Sequence, residues 1–349
     1  LIMIITDFRY EHIPEAEALA LSCYDEERRE VPALPEIHSV PALKDFADNH
    51  MGAAALENGR LVGFLCSVAP FDNVFRSTDV KGVFSPMLAN AAVLENRAAI
   101  YAALYQYAAF KWVQAGAYSH AVCLYAHDEA ALGQLFRYGF GLRCVDSIRP
   151  MQRLDTMQQL DTMRRMDGQR LLKSGSAHEG KTGMSSLGEF VFTELKPEEY
   201  CQIYPLESML NSHFRKSPFF MNRRLESCEE FCEECVRNKD RCFAAFQKGE
   251  PCAYLKLSDT GETFITQASD YIHITGAFCL PEYRGRGLYQ NLLDYAVDIL
   301  EKEGYTRLGV DFESINPTAY GFWSKYFAAY TQGVVRRIDE RIGQVIVPE

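Results

Sequence analysis

The residues of this chain best suited to chemistry lie between Gly276 and Asn316. In Gly276-Ala277-Phe278-Cys279-Leu280-Pro281-Glu282-Tyr283-Arg284-Gly285-Arg286-Gly287-Leu288-Tyr289, an apolar strand runs into a turn with two glycines and then into a helix start. Gly285 and Gly287 let successive backbone N–H groups converge on one point, the helix adds the positive end of its dipole, and Arg284 and Arg286 add charge. Such a turn suits a phosphate or pyrophosphate. Further along, Asp311 and Glu313 share one face of a strand by its two-residue period, and His273 stands on the strand before. A carboxylate so placed can serve as a general base. Against that stands the plainer reading: two carboxylates at a strand end that are only solvated or salt-bridged, and a histidine that is only a satisfied strand residue.

The elements that must position these groups are legible from spacing. Leu288, Leu292, Ala296 and Ile299 recur at intervals of three and four, with Asp294, Asp298, Glu301 and Lys302 elsewhere, which predicts a helix with one core face. Gly304 ends it, and residues 307–312 alternate toward a second strand. Strand, turn, helix and strand in that order form a crossover between parallel strands. A Walker loop would need Lys and then Ser or Thr after its last glycine, and a dinucleotide fingerprint would need three glycines spaced GxGxxG; this turn has neither.

What remains resembles motif A of the GNAT N-acetyltransferases, whose pattern of Gln or Arg, two residues, Gly, one residue, Gly or Ala falls here on Glu282, Gly285 and Gly287. Glu282 departs from the first position, and Tyr289 stands where a small residue is common. Leu308 to Ala319 resembles the family's next strand and helix start, with Asn316 matching the Asn that caps this helix and Pro317 at its first position. The resemblance implies an α/β (α+β) fold, a mixed and mostly antiparallel sheet flanked by helices. It also implies acetyl-CoA as co-substrate, with its pantetheine arm between strands 272–280 and 307–312. Ala277, Phe278, Cys279 and Asn316 would meet the arm, and Arg284, Gly285, Arg286, Gly287, Leu288 and Tyr289 the diphosphate. Asp311 and Glu313 are then the candidate bases for direct attack by an amine in a ternary complex. The family's acid is a Tyr seven residues after the Asn, where this chain has Trp323, which cannot donate a proton. The thiolate would leave unassisted, through water, or with help from Tyr326 or Tyr320.

A second copy of this plan precedes the first. Gly59 and Gly249 lie in similar hairpin sequences 190 residues apart, while Gly116 pairs with Gly304 and Asp128 with Asn316 at 188. The earlier equivalent of the phosphate turn, Glu95-Asn96-Arg97-Ala98-Ala99-Ile100-Tyr101, has lost both glycines and carries Ile100 where the helix must open, so its cradle is expected to be gone. The expected organisation is a degenerate GNAT-like domain at 1–152, a linker at 153–187, and a domain with the CoA site at 188–349. Ser217 to Arg224 and the first domain are expected to shape the acceptor groove.

With 349 residues, 48% hydrophobic and 24% charged, the chain has material for two cores, and its net charge of −11 argues against nonspecific nucleic-acid binding. No apolar run of about 18 residues predicts a membrane span, so a cytoplasmic monomer or homodimer is expected. Its partner would be a small-molecule or peptide amine acceptor, with no nucleic acid or membrane and no metal. Cys228, Cys232 and Cys235 match the CxxxCxxC spacing of iron–sulfur enzymes, but the same positions with Phe231 make one helical face. Eleven cysteines without a short secreted framework are expected to be reduced. Cys279 reads as a small apolar strand residue. The leading reading is an acetyl-CoA-dependent N-acetyltransferase; the alternative is a non-catalytic CoA-binding or sensing protein.

Overall fold

The computed structural model describes residues 3–41, 43–74, 80–154 and 190–345. The N-terminal half runs β1 (Met3–Asp7), α1 (Ile13–Glu30), α2 (Lys44–Asp48), β2 (Ala53–Glu57), β3 (Arg60–Leu65), β4 (Gly82–Ser85), β5 (Asn90–Ala92), α3 (Arg97–Gln114), β6 (Ser119–Tyr125), α4 (Glu129–Arg137) and β7 (Gly141–Pro150). The C-terminal half runs β8 (Phe190–Leu195), α5 (Tyr204–Phe214), α6 (Cys228–Asn238), β9 (Arg241–Gln247), β10 (Glu250–Ser258), β11 (Tyr271–Cys279), α7 (Leu288–Lys302), β12 (Arg307–Glu313), α8 (Pro317–Tyr326) and β13 (Ala328–Arg337). Nearly all of the expected linker lies outside the described residues.

The repeat seen in the sequence is a repeat of structure. β6 and β12 have seven residues each and start 188 positions apart. Asp128 and Asn316, at the same spacing, both accept from backbone N–H groups at the starts of α4 and α8. Asn58-Gly59 and Lys248-Gly249 are two-residue turns with positive φ at both positions, the hairpin geometry that matches strand twist.

The two halves are not simply adjacent. One nine-stranded sheet runs β4-β6-β13-β7-β12-β11-β10-β9-β8, beside a four-stranded sheet β1-β2-β3-β5. β13, the last strand of the C-terminal half, lies between β6 and β7 of the N-terminal half, while β7 lies between β13 and β12. Each half therefore completes its sheet with the other's final strand, and side chains of β7 reach the C-terminal site.

Burial follows the periodicities. Leu288, Leu292, Leu293, Ala296, Val297 and Leu300 of α7 pack onto Leu308, Val310 and Phe312 of β12 and Ile272 and Ile274 of β11. On the opposite face of the C-terminal sheet, α5 and α6 bury Leu206, Phe231 and Cys235 against Ala244, Tyr254 and Phe278. Cys228–Asn238 is thus an amphipathic helix, opened by a reciprocal Ser227–Glu230 cap. Burial, reinforced by neighbouring Cys228, pushes the Cys232 thiol up to about 11. A third cluster joins the halves, with Tyr24, Val31 and Leu34 beside Ile265, Tyr271 and Tyr330.

Candidate active site

β11 and β12 pair in parallel only from Tyr271↔Arg307 to Ile274↔Val310. A bulge at Thr275 then shifts the β10–β11 register, because Leu257 faces Ile274 while Lys256 faces Gly276. Beyond it the two strands have no pairing with each other. Leu280 N–H donates to Cys252 C=O, so by antiparallel alternation the backbone groups of Phe278 face β10, whereas those of Ala277 and Cys279 face the gap. Phe278 is thereby removed from the expected main-chain contacts. Cys279 C=O already accepts from Arg284 Nε at 2.8 Å, leaving both groups of Ala277 and the N–H of Cys279 open toward the gap.

The glycine turn follows at once. Gly285 (φ +71°) and Gly287 (φ +82°) are both left-handed, a region most side chains avoid. Gly287 is the N-cap of α7, with no side chain bonded to the first-turn N–H groups. Among the described residues no backbone group accepts from the N–H groups of Gly285 to Gln290. Unsatisfied donors at an accessible helix start suit an anion. Both arginines are exposed, but Arg284 folds back, its guanidinium 5.3 Å from the Phe278 ring.

Tyr289 of α7 lies near Cys279 and packs against α8. The Tyr289 ring meets Phe322 and Trp323 edge-on, at 5.4 and 6.0 Å. Its hydroxyl is buried without a hydrogen-bond partner, and burial, with the Cys279 thiol nearby, raises its pKa well above the ordinary phenol value. An orphaned buried hydroxyl costs about 1–3 kcal/mol, so a ligand with an acceptor there would relieve it. Together with the open N–H groups, this fits a phosphorylated thioester co-substrate. Tyr289→Phe is expected to leave the melting temperature unchanged or raised while weakening CoA binding about 5- to 10-fold, the worth of one hydrogen bond; calorimetric titration checks it. Cys279 is inert as a nucleophile, because burial pushes its thiol up to about 11.

The candidate acid–base groups sit on the face turned away from α7. Asp311 Oδ1 lies 2.9 Å from His273 Nε2, and His273 Nδ1 lies 2.5 Å from the Tyr271 hydroxyl. Glu262, His273 and Asp311 bring polar atoms within 4.8 Å of one another. His273 is fully buried while the Asp311 side chain is 43% exposed, so the relay opens to solvent at the carboxylate. Burial pulls the His273 pKa down, but the Asp311 hydrogen bond and the charges of Asp311, Glu262 and Asp146 outweigh it, and the net shift is upward. Glu313 is on the same face but is engaged by Arg143 of β7 at 2.5 Å. Tyr326 is not brought to Asp311: it packs against Phe322 at 5.1 Å in the cluster beneath α7, on the other face of the sheet. Trp323 is buried in that cluster. Asn316 accepts from Thr318 and Ala319 N–H groups at 3.2 Å, as a helix cap does. The Ser217–Arg224 segment approaches from one side, with Met221 touching Arg143 and Arg223 stacked 4.4 Å over Phe214.

The N-terminal half shows the same gap filled by its own side chains. Asn90 Nδ2 donates to Cys123 C=O of β6 at 3.0 Å, and Tyr101 donates to Asn90 Oδ1. Asn96 takes the left-handed position before α3 (φ +56°), which asparagine tolerates. The helix therefore opens at Arg97, three residues before Ile100, which is buried in the core. Arg97 is buried where an anion would approach, paired with Glu26 at 2.9 Å and Asp128 at 3.2 Å. Arg97→Met is expected to cost about 3 kcal/mol by stranding two carboxylates, with CoA affinity unchanged; denaturant unfolding and calorimetry check the two halves of that statement.

A strand pair splayed at a bulge, a left-handed glycine turn and a capped helix after the second strand define a chain with the acyl-CoA N-acyltransferase architecture. The comparisons agree. Residues 206–328 match the acetyltransferase (GNAT) family, and this part of the chain is a GNAT domain. A GCN5-related N-acetyltransferase from Sphaerobacter thermophilus has the same fold at 11% identity, with 96% of this chain and 95% of that chain covered and a TM-score of 0.52. A glucosamine N-acetyltransferase region of a fungal multi-domain β-N-acetylglucosaminidase is 13% identical over 96% of this chain and 38% of that one (TM-score 0.47). A tandem GNAT protein from the clavulanic acid biosynthesis pathway is 11% identical over 96% and 98% (TM-score 0.42). No curated protein matches the chain. Among the described residues no helix is long and apolar enough to cross a membrane.

Proposed function

We propose that the chain is an acetyl-CoA-dependent N-acetyltransferase with one working site, in the C-terminal half from about residue 188, and that residues up to about 152 form a copy whose own gap is closed. The observation that carries this reading is the contrast between the two gaps. In the C-terminal half Ala277 presents open backbone groups and Gly285 to Gln290 present open N–H groups; in the N-terminal half Asn90 and Arg97 fill the equivalent space.

In this reading the helix start of α7 holds the diphosphate, and the gap holds the pantetheine arm with Asn316 at its far side. The co-substrate supplies a thioester carbonyl open to attack by a neutral amine. Asp311, backed by His273 and Tyr271, accepts the ammonium proton from a primary amine bound on the face opposite α7, directly and in a ternary complex. Glu313 orients Arg143 rather than serving as base. Tyr326 lies beyond the sheet from Asp311, and the Tyr289 hydroxyl is the donor left open beside the gap. Acceptors of either kind, small-molecule or peptide amines, have access from the Asp311 side.

Buried Trp323, in place of a titratable phenol, favours the second reading, a CoA-binding or sensing protein without turnover. Incubation with acetyl-CoA and a panel of primary amines, following free thiol, separates the two: the enzyme releases CoA only when an accepted amine is present, and a sensor binds without release.

A further inference from the structure

We propose that Asp146, which the N-terminal half contributes through β7, is a positioning residue of the C-terminal site that holds a proton against Asp311 and so keeps Asp311 the ionised member of the pair. The reaction it serves is the one proposed above; the proton sharing does not depend on that reading. Strand exchange sets β7 beside β12 in a register that places Asp146 directly opposite Asp311. Like charges directly opposite on neighbouring strands repel. Of the two, Asp146 is buried, with 7% of its surface exposed, whereas Asp311 reaches solvent.

The groups facing Asp146 come from every neighbouring element. Thr331 of β13 donates its hydroxyl to Asp146 Oδ2 and accepts from the Asp146 N–H at 3.3 Å. Asp311 of β12, His273 and Tyr271 of β11, Glu262 from the segment before β11, Tyr330 of β13, Cys123 of β6 and Cys144 of β7 complete the surroundings. His273 is the only cation-forming group among them, and it is bonded to Asp311. It can balance one carboxylate; Glu262 and Asp311 reach solvent, so the buried one, Asp146, must keep its proton. Removal from water falls hardest on Asp146, which therefore carries it. Burial, and then the Asp311 charge, push the Asp146 carboxyl up to about 7. With the proton on Asp146, the charge of the pair lies at the solvent-facing end of the relay, where an amine would arrive. The degenerate half thus tunes the site of the other half without touching substrate.

Carbon-13 NMR of the intact chain labelled at aspartate tests this. One aspartate is expected to titrate between pH 6 and 8. Its resonance should be absent in Asp146→Asn, and its midpoint should move upward in Thr331→Val, which loses the hydroxyl donor. The linkage has a definite sign: the folded chain retains a proton that the unfolded chain loses near pH 4, so this group's contribution to stability declines as pH rises from 4 through 7. Asp146→Asn should match the native chain in melting temperature near pH 4 and exceed it by a margin that grows up to pH 8. With an accepted amine, the kcat/KM profile should lose its inflection near neutrality or move by about one unit, with CoA affinity unchanged. If no aspartate titrates in that window in the native chain, or if the melting curves of Asp146→Asn follow the native ones at every pH, the shared proton is refuted. Should Asp146→Asn fail to fold, the native titration and its response to Thr331→Val decide. Absence of any accepted amine would overturn the acetyltransferase reading while leaving the NMR and melting results to judge the proton pair.

Discussion

Gly287→Val is expected to weaken CoA binding by about 100-fold or more, a loss of roughly 2.7 kcal/mol. Crowding is not the cause, since the nearest atom to an added Cβ is Asn291 Nδ2 at 3.7 Å. The cause is conformation: at φ +82° and ψ −3° a β-branched residue is a steric outlier, and relaxing it rotates the peptide planes that aim the N–H groups at residues 287 to 289. A diphosphate held by main-chain donors has no substitute for them. Gly304→Ala is the control, because Gly304 is left-handed too (φ +98°) but ends α7 instead of opening it. Both changes carry strain of about 1–2 kcal/mol; only the first should alter affinity in calorimetric titration. Equal stability losses with unchanged affinity in both would remove the cradle from the proposal.

Asp311→Asn is expected to lower kcat by about 10²- to 10⁴-fold, the usual worth of a positioned base, with CoA affinity preserved because Asp311 lies across the sheet from α7. The substitution also leaves a pH signature. Buried His273 has its pKa raised on balance, largely through Asp311. A histidine with a raised folded pKa contributes stability that is fully present below its unfolded pKa and fades as pH rises through the folded value. Asp311→Asn removes this contribution, so the variant should be more destabilised at pH 5 than at pH 8. Thermal melts at the two pH values, with stopped-time assays for turnover, check both statements; an unchanged pH–rate profile would take Asp311 out of the role of base.

How much of the site could be read from residues alone depended on whether its parts were local. The turn at Gly285 and Gly287, the helix from Leu288 and the Asn316 cap are decided within a few residues by left-handed backbone, apolar spacing and side-chain acceptors, and they were legible. The helical reading of Cys228 to Cys235 was legible for the same reason. The start of α3 was misplaced at Ile100 because Asn96 imitates the glycine conformation without being a glycine. The assignments that fail to converge are the non-local ones. Phe278 turns its backbone to β10 because a bulge at Thr275 resets the register, Arg284 folds onto Phe278, and Tyr326 falls on the far face of the sheet.

The sequence by itself determined a repeated strand–turn–helix plan, one half of it with the glycines a phosphate needs and the other without. Only the tertiary structure decided that the halves exchange their last strands, and with them that Arg143 meets Glu313 and Asp146 faces Asp311. The physical reason is that a strand's alternation records which side chains share a face but says nothing about which neighbour will complete its hydrogen bonds. That choice is made between residues about 170 positions apart, where closing the chain costs entropy that only the assembled sheet recovers.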